Sequence, residues 1–153
     1  LDRLGEVNDV VARSGLRCQW WTKGILQADD EILIVDTMGK LNALYHRATM
    51  AFVGGTLAPI GGHNLLEPAL AGVPVSYGPH YFQQQRGHEL LQEQRMGTVV
   101  TSVAELARAV QALLASDALG AEYGRRAEAL RAASAHVLDD YVSRILNLIE
   151  DHE

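Results

Sequence analysis

The sequence predicts an α/β fold: a Rossmann-like parallel sheet flanked by helices. Three observations carry this. Short apolar or β-branched runs alternate with segments of helical period. Glycine-bearing loops follow several of those runs, as they do where parallel strands feed helices. The chain has 153 residues, 48% of them hydrophobic, which is enough for one sizeable core.

The elements follow in order. Leu4, Val7 and Val11 recur at helical spacing and predict a first helix ending near Ser14-Gly15. Leu16 to Trp21 reads as a strand, broken at Lys23-Gly24. After the acidic turn Asp29-Asp30-Glu31, the run Ile32-Leu33-Ile34-Val35 has the unbroken apolar character of a strand buried in a parallel sheet. Leu41, Leu44, Tyr45 and Ala48 form one face of a helix, and Ala51-Phe52-Val53 is a strand ending in Gly54-Gly55. A helix is expected over roughly 65–72, a strand over 74–77, a helix over about 84–95 and a strand over 98–100. Ser102 with Glu105 is a capping box opening a helix whose apolar face is Leu106, Val110, Leu113 and Leu114. Helices over about 119–133 and 136–150 close the chain, the last with Leu138, Val142, Ile145 and Ile149 in register. No repeat or low-complexity segment interrupts the pattern.

Charge and composition remove several function classes. Thirteen Lys and Arg against 19 Asp and Glu give a net charge of −6, which argues against a general nucleic-acid binder. Residues 134–153 carry Arg144 against Asp139, Asp140, Glu150, Asp151 and Glu153, so the acidity belongs to the last helix. Cys18 is the single cysteine, which excludes an intramolecular disulfide framework and a Cys-rich zinc site. No apolar run approaches the ~18 residues of a spanning helix. Leu1 is no initiator and no targeting segment follows it, so the sequence reads as a piece of something longer.

In parallel sheets ligands bind outside the carboxyl ends of the strands. Three loops are expected on that edge: Asp36-Thr37-Met38-Gly39-Lys40, the stretch from Gly54 to Asn64, and Gly78-Pro79-His80. In the second, Gly54, Gly55, Gly61 and Gly62 would let backbone approach a phosphate at the start of a helix; equally, a long turn would need them for its own geometry. Asn64 and Glu67 have the spacing of a helix start, with Asn64 capping and Glu67 reaching back. A carboxylate there could instead accept from both hydroxyls of a ribose. Asp36 ends a strand and is expected to cap the next turn. His63 and His80 lie on the expected edge, whereas His46, His88, His136 and His152 form no metal-ligand spacing. Trp20-Trp21 read as packing on the sheet, Arg125-Arg126 as a solvated helix face and Cys18 as an inert strand residue. The residues alone thus point to an anion- or nucleotide-binding α/β domain.

Beyond that, the motifs resemble a family. Asp36-Thr37-Met38-Gly39-Lys40-Leu41, Ala51-Phe52-Val53-Gly54-Gly55-Thr56-Leu57, Gly61-Gly62-His63-Asn64-Leu65-Leu66-Glu67-Pro68 and Gly78-Pro79-His80 are similar, in order and spacing, to the C-terminal half of 3-deoxy-D-manno-octulosonic acid (Kdo) transferases. Glu67-Pro68-Ala69 with Gly72-Val73-Pro74-Val75 resembles donor-binding domains of GT-B glycosyltransferases more widely. The resemblance implies that residues 1–153 are a CMP-sugar donor-binding domain, the C-terminal half of a GT-B fold. It implies an N-terminal acceptor domain and a first strand absent from this chain. It implies a donor, CMP-Kdo, with no metal or other cofactor, and Kdo transfer with inversion to the lipid A precursor of lipopolysaccharide.

By motif, Met38, Gly39 and Lys40 would lie against the cytidine, and Asn64, Leu65, Leu66 and Glu67 would hold ribose and phosphate, with Glu67 on the ribose hydroxyls. Gly54, Gly55, Gly61 and Gly62 would shape the loop, with His63 beside it, and His80 would border the cleft toward the sugar. The family commonly has Glu where this chain has Lys40. The parent is expected at the cytoplasmic face of the bacterial inner membrane, with this piece soluble, without nucleic-acid partners, and inactive alone. Two other readings stand beside it: the donor domain of another GT-B transferase or epimerase, and a non-enzymatic nucleotide-binding module.

Overall fold

A computed structural model describes residues 4–116 and 121–134. The chain divides into two compact units, Leu1–Leu41 and Asn42–Glu153.

In the first unit, α1 (Leu4–Ser14) ends where sequence pattern places its stop. The Ser14 hydroxyl donates to the Val11 carbonyl at 2.7 Å and accepts from the Leu16 N–H at 3.2 Å, while Gly15 turns the chain at φ +70°. β1 (Cys18–Trp20) pairs in parallel with β2 (Ile32–Ile34), Cys18 opposite Ile32 and Trp20 opposite Ile34. Their connection contains a 3₁₀ turn, Trp21–Lys23, and no α-helix. The acidic turn before β2 holds this connection. Asp29 pairs with Arg17 at 2.5 Å, Asp30 accepts from the Gln27 N–H at 2.7 Å, and Glu31 accepts from the Arg17 N–H at 3.2 Å. Ile32, Leu33 and Ile34 are half-buried rather than buried, because a ladder of two strands cannot cover its own faces.

The second unit is built on three parallel strands in the order β3 (Ala51–Val53), β4 (Val75–Tyr77), β5 (Gly97–Val99). Val53 stands opposite Tyr77, and Tyr77 opposite Val99. Two crossovers link them, through α3 (Leu66–Leu70) and α4 (Gln85–Glu93). Central β4 is buried at all three positions, as expected of an interior parallel strand. Its Val75 and Tyr77 join Val53, Leu65, Ala69, Leu90, Leu91 and Met96 in the core. The helical residues 121–134 complete it with Ala127 and Leu130, both without exposed surface.

Four expectations are adjusted. The helix expected from Leu41 to Ala48 is α2 (Leu41–Tyr45); beyond it the Arg47 and Ala48 N–H groups make i→i−3 bonds of 3.0 Å, so the last turn tightens. In α5 (Val103–Leu114), Leu106, Val110 and Leu113 are half-buried, but Leu114 is 66% exposed at the end of the stripe. The capping box forms in altered form. Ser102 accepts from the Glu105 N–H at 3.2 Å, while the Glu105 carboxylate reaches back one residue further and accepts from the Thr101 N–H at 2.7 Å and hydroxyl at 2.8 Å. Arg126 is not a solvated side chain. It donates to the Arg95 carbonyl at 2.7 Å, pairs with Glu122 and covers the Tyr123 ring at 4.9 Å. The last expected helix, with Leu138, Val142, Ile145 and Ile149, lies outside the described residues.

Candidate functional site

Two of the three expected loops leave one edge of the three-stranded sheet. Residues 54–64 follow β3 and residues 78–80 follow β4, and these parallel neighbours end in register at Val53 and Tyr77. A residue not singled out above joins them. Thr56 has no exposed surface; its hydroxyl donates to the Val53 carbonyl at 2.6 Å and accepts from the Gly78 N–H at 2.7 Å. Its carbonyl accepts from the His80 N–H at 3.0 Å. One threonine thus satisfies three backbone groups of two loops at a place where each unmade bond would be buried. The available signal was its position: a threonine shortly after a strand, able to bond back to the carbonyl three residues earlier.

This junction demands two of the glycines. A Cβ on Gly78 would run into the backbone of Thr56 and Leu57. Gly62 sits at φ +75°, and a Cβ there would strike the Thr56 methyl group. The Gly62 N–H donates to the Gly55 carbonyl at 3.0 Å, closing the loop on itself. At least part of the glycine content is therefore demanded by the turn itself. Gly54 is exposed, Gly55 half-buried and Gly61 buried beside Phe82 and Gln83.

The helix start behaves as half of the expected pair. Asn64 Oδ1 accepts from the Leu66 N–H at 2.9 Å. Glu67 does not reach back, because α3 begins only after Leu65, which leaves Glu67 in its first turn facing outward. Among the described residues its carboxylate has no hydrogen-bond partner. It lines a cleft of about 340 Å³ with Asn42, His46, Asn64, Leu70 and Ala71. Burial, and then the charge of Glu67, push the Tyr45 hydroxyl above its ordinary 10.0. Pro68 fits because it falls in the first turn, where it removes no helical bond. Leu65 has its side chain in the core and Leu66 packs against that core, so Leu65 offers a ligand only its backbone. With five residues, α3 carries little dipole, and one of its leading N–H groups is already taken by Asn64.

His63 is exposed and His80 half-buried; neither lines this cleft, whereas His46, set aside from the sequence, does. The Glu67 carboxylate in this cleft can accept hydrogen bonds from a ligand's N–H or O–H groups.

The third loop belongs to the first unit. Met38 is 94% exposed, Gly39 turns at φ +78°, and exposed Lys40 holds its ammonium 5.9 Å from the centre of the Trp21 ring. Asp36 does not cap the turn ahead. It accepts from the Thr22 N–H at 3.1 Å and from the Thr22 hydroxyl, closing the preceding Trp21–Lys23 turn, and these bonds hold its carboxyl below the ordinary 3.8. Cys18 is free and half-buried. Among the described residues no three His, Cys, Asp or Glu side chains are grouped to hold a metal ion, and no helix is long and apolar enough to cross a membrane.

No family model matches the chain. Curated relatives do. Over 117 residues, 74% of this chain and 26% of the relative, it is 43% identical to the 3-deoxy-D-manno-octulosonic acid transferase of Chlamydia muridarum. Over 101 residues, 65% of this chain and 23% of the relative, it is 39% identical to the transferase of the same name from Chlamydia trachomatis serovar D. The chain thus spans about a quarter of the length of the curated relatives it matches. Among solved structures it is similar to the C-terminal CMP-Kdo binding domain of WaaA from Acinetobacter baumannii, at 27% identity and a TM-score of 0.76, over 84% of this chain and 68% of that one.

Proposed function

Because the chain is a relative of the Kdo transferases, with the fold of the C-terminal domain of a GT-B glycosyltransferase, we propose that it binds CMP-Kdo as the donor half of a transferase. The parent enzyme in this reading passes Kdo to a lipid A precursor with inversion, at the cytoplasmic face of the bacterial inner membrane. The observation that carries the donor role is the Glu67 carboxylate in the first turn of α3, without a hydrogen-bond partner among the described residues and lining a cleft beside Asn64. A carboxylate without a protein partner accepts both hydroxyls of a ribose through charge-assisted bonds.

Met38, Gly39 and Lys40 lie against the cytosine in this reading, through backbone at Lys40. The loop of Gly54, Gly55, Gly61 and Gly62 shapes the approach of the phosphate. The negative charge growing on the departing phosphate is met by backbone N–H groups after His63 and by His63 or His80, without a metal ion. Inversion asks for a base on the acceptor hydroxyl opposite the departing CMP, and that base lies on the acceptor side of the parent.

The test is a CMP titration followed by amide NMR, with UMP as competitor. Joint perturbation of Met38, Gly39, Asn64 and Glu67, weakened in Glu67→Ala and preferring CMP to UMP, supports the reading. Perturbation confined to the helix around Arg125 overturns it, and equal binding of UMP moves the chain to a different donor.

A further inference from the structure

The loop of residues 78–80 continues into a partly buried polar cluster that the donor reading does not use. His88, on α4, has Nδ1 2.9 Å from the Tyr77 hydroxyl and Nε2 3.2 Å from the Tyr81 hydroxyl. Tyr81 stacks on its ring, with centres 4.0 Å apart and planes 14° from parallel, and Tyr77 meets it edge-on at 5.9 Å. Gln92, one turn along α4, donates its amide to the Tyr77 oxygen at 3.0 Å and to the Gly97 carbonyl at 3.2 Å.

These contacts favour one arrangement of the protons. Tyr77 has no exposed surface and its oxygen already accepts from Gln92, so among the described residues the acceptor in reach of its own O–H is His88 Nδ1. The imidazole proton is then on Nε2, the nitrogen beside the Tyr81 oxygen.

The cluster holds both ends of the loop. Tyr77 is the last residue of β4 and Tyr81 follows His80, so residues 78–80 are strung between two tyrosines held by one imidazole. The opposite side of the same segment is tied to Thr56 through the Gly78 and His80 N–H groups. We propose that His88 is a positioning residue for the 78–80 loop: it clamps Tyr77 and Tyr81 and so sets where His80 stands relative to the donor. This rests on His80 bordering the donor, as in the proposed function.

Two variants test it on the whole chain. His88→Phe keeps the ring and the stacking on Tyr81 but loses both nitrogens; Tyr77→Phe removes only the hydroxyl between Gln92 and His88. Imidazole ¹⁵N spectra of the unaltered chain should show Nδ1 unprotonated and Nε2 protonated. In His88→Phe the amide shifts should move over residues 77–81, and CMP should bind about tenfold more weakly, the scale on which supporting residues act at other sites. Tyr77→Phe should shift the His88 tautomer balance. A proton on Nδ1 in the unaltered chain overturns the proposal, as does His88→Phe with unmoved 78–80 amides and unchanged CMP affinity, even if its melting temperature falls. Failure of the unaltered chain to bind CMP sinks the donor reading instead, and leaves the tautomer and amide readouts to decide the clamp.

Discussion

Thr56 concentrates more of the edge geometry than any glycine near it. Replacing it by valine keeps the shape and removes the hydroxyl, leaving the Val53 carbonyl and the Gly78 N–H unpaired in a buried place. The expected loss is about 1–3 kcal/mol in denaturant unfolding, the cost of orphaning a buried group. Gly78→Ala should cost more, since the clash there is with backbone that cannot swing aside. Glu67→Ala should change stability little, because among the described residues its carboxylate has no hydrogen-bond partner to lose, while weakening CMP. That contrast separates a residue that builds the edge from one that serves a ligand.

At the scale of elements, α5 carries a built-in response to acid. Its Thr101 bonds hold the Glu105 carboxyl below the ordinary 4.5, backbone N–H first, and Arg108 adds a little. A carboxylate with a lowered folded value contributes stability that is present above its unfolded value and lost as pH falls through the folded one. Glu105→Gln should therefore be less stable than the unaltered chain above pH 4.5, with the gap closing as pH drops below it. A gap that persists at pH 2 would assign the effect to side-chain packing instead. β4 is the element with most to lose on opening. Native-state hydrogen exchange should find its Val75 and Tyr77 amides slowest, since the β5 ladder and the core must part before they are exposed.

For the whole molecule, the expected outcome is that this chain binds donor and transfers nothing. Transfer needs an acceptor hydroxyl, a base to take its proton and a cleft aligning it behind the anomeric carbon. Asp36 is committed to Thr22, and Glu67 is assigned to the ribose. A positioned base contributes ~10²–10⁴-fold, so with base and acceptor site on the acceptor side of the parent, as proposed, turnover is expected below detection. Incubation with CMP-Kdo and a lipid A precursor checks this; Kdo-bearing lipid that appears with time, and fails to appear with Glu67→Ala, would place a complete catalytic site in this chain.

The sequence by itself determined the alternation of strands and helices, the stop at Ser14-Gly15, the Ser102 start and the loops after Val53 and Tyr77. Each is a local matter: periodicity, a capping side chain, or a glycine where only glycine turns. The motif order also pointed to the family, which the relatives and the solved domain bear out. Tertiary structure alone decided what needs a partner from elsewhere in the chain. Asp36 turned back to Thr22, fourteen residues earlier. Thr56 found Gly78, twenty-two residues on. His88, with no metal-ligand spacing, became the centre of a tyrosine clamp because a β-strand end, a loop and a helix meet there. Hydrogen-bond partners across such distances depend on which surfaces the core brings together, and no local pattern encodes that.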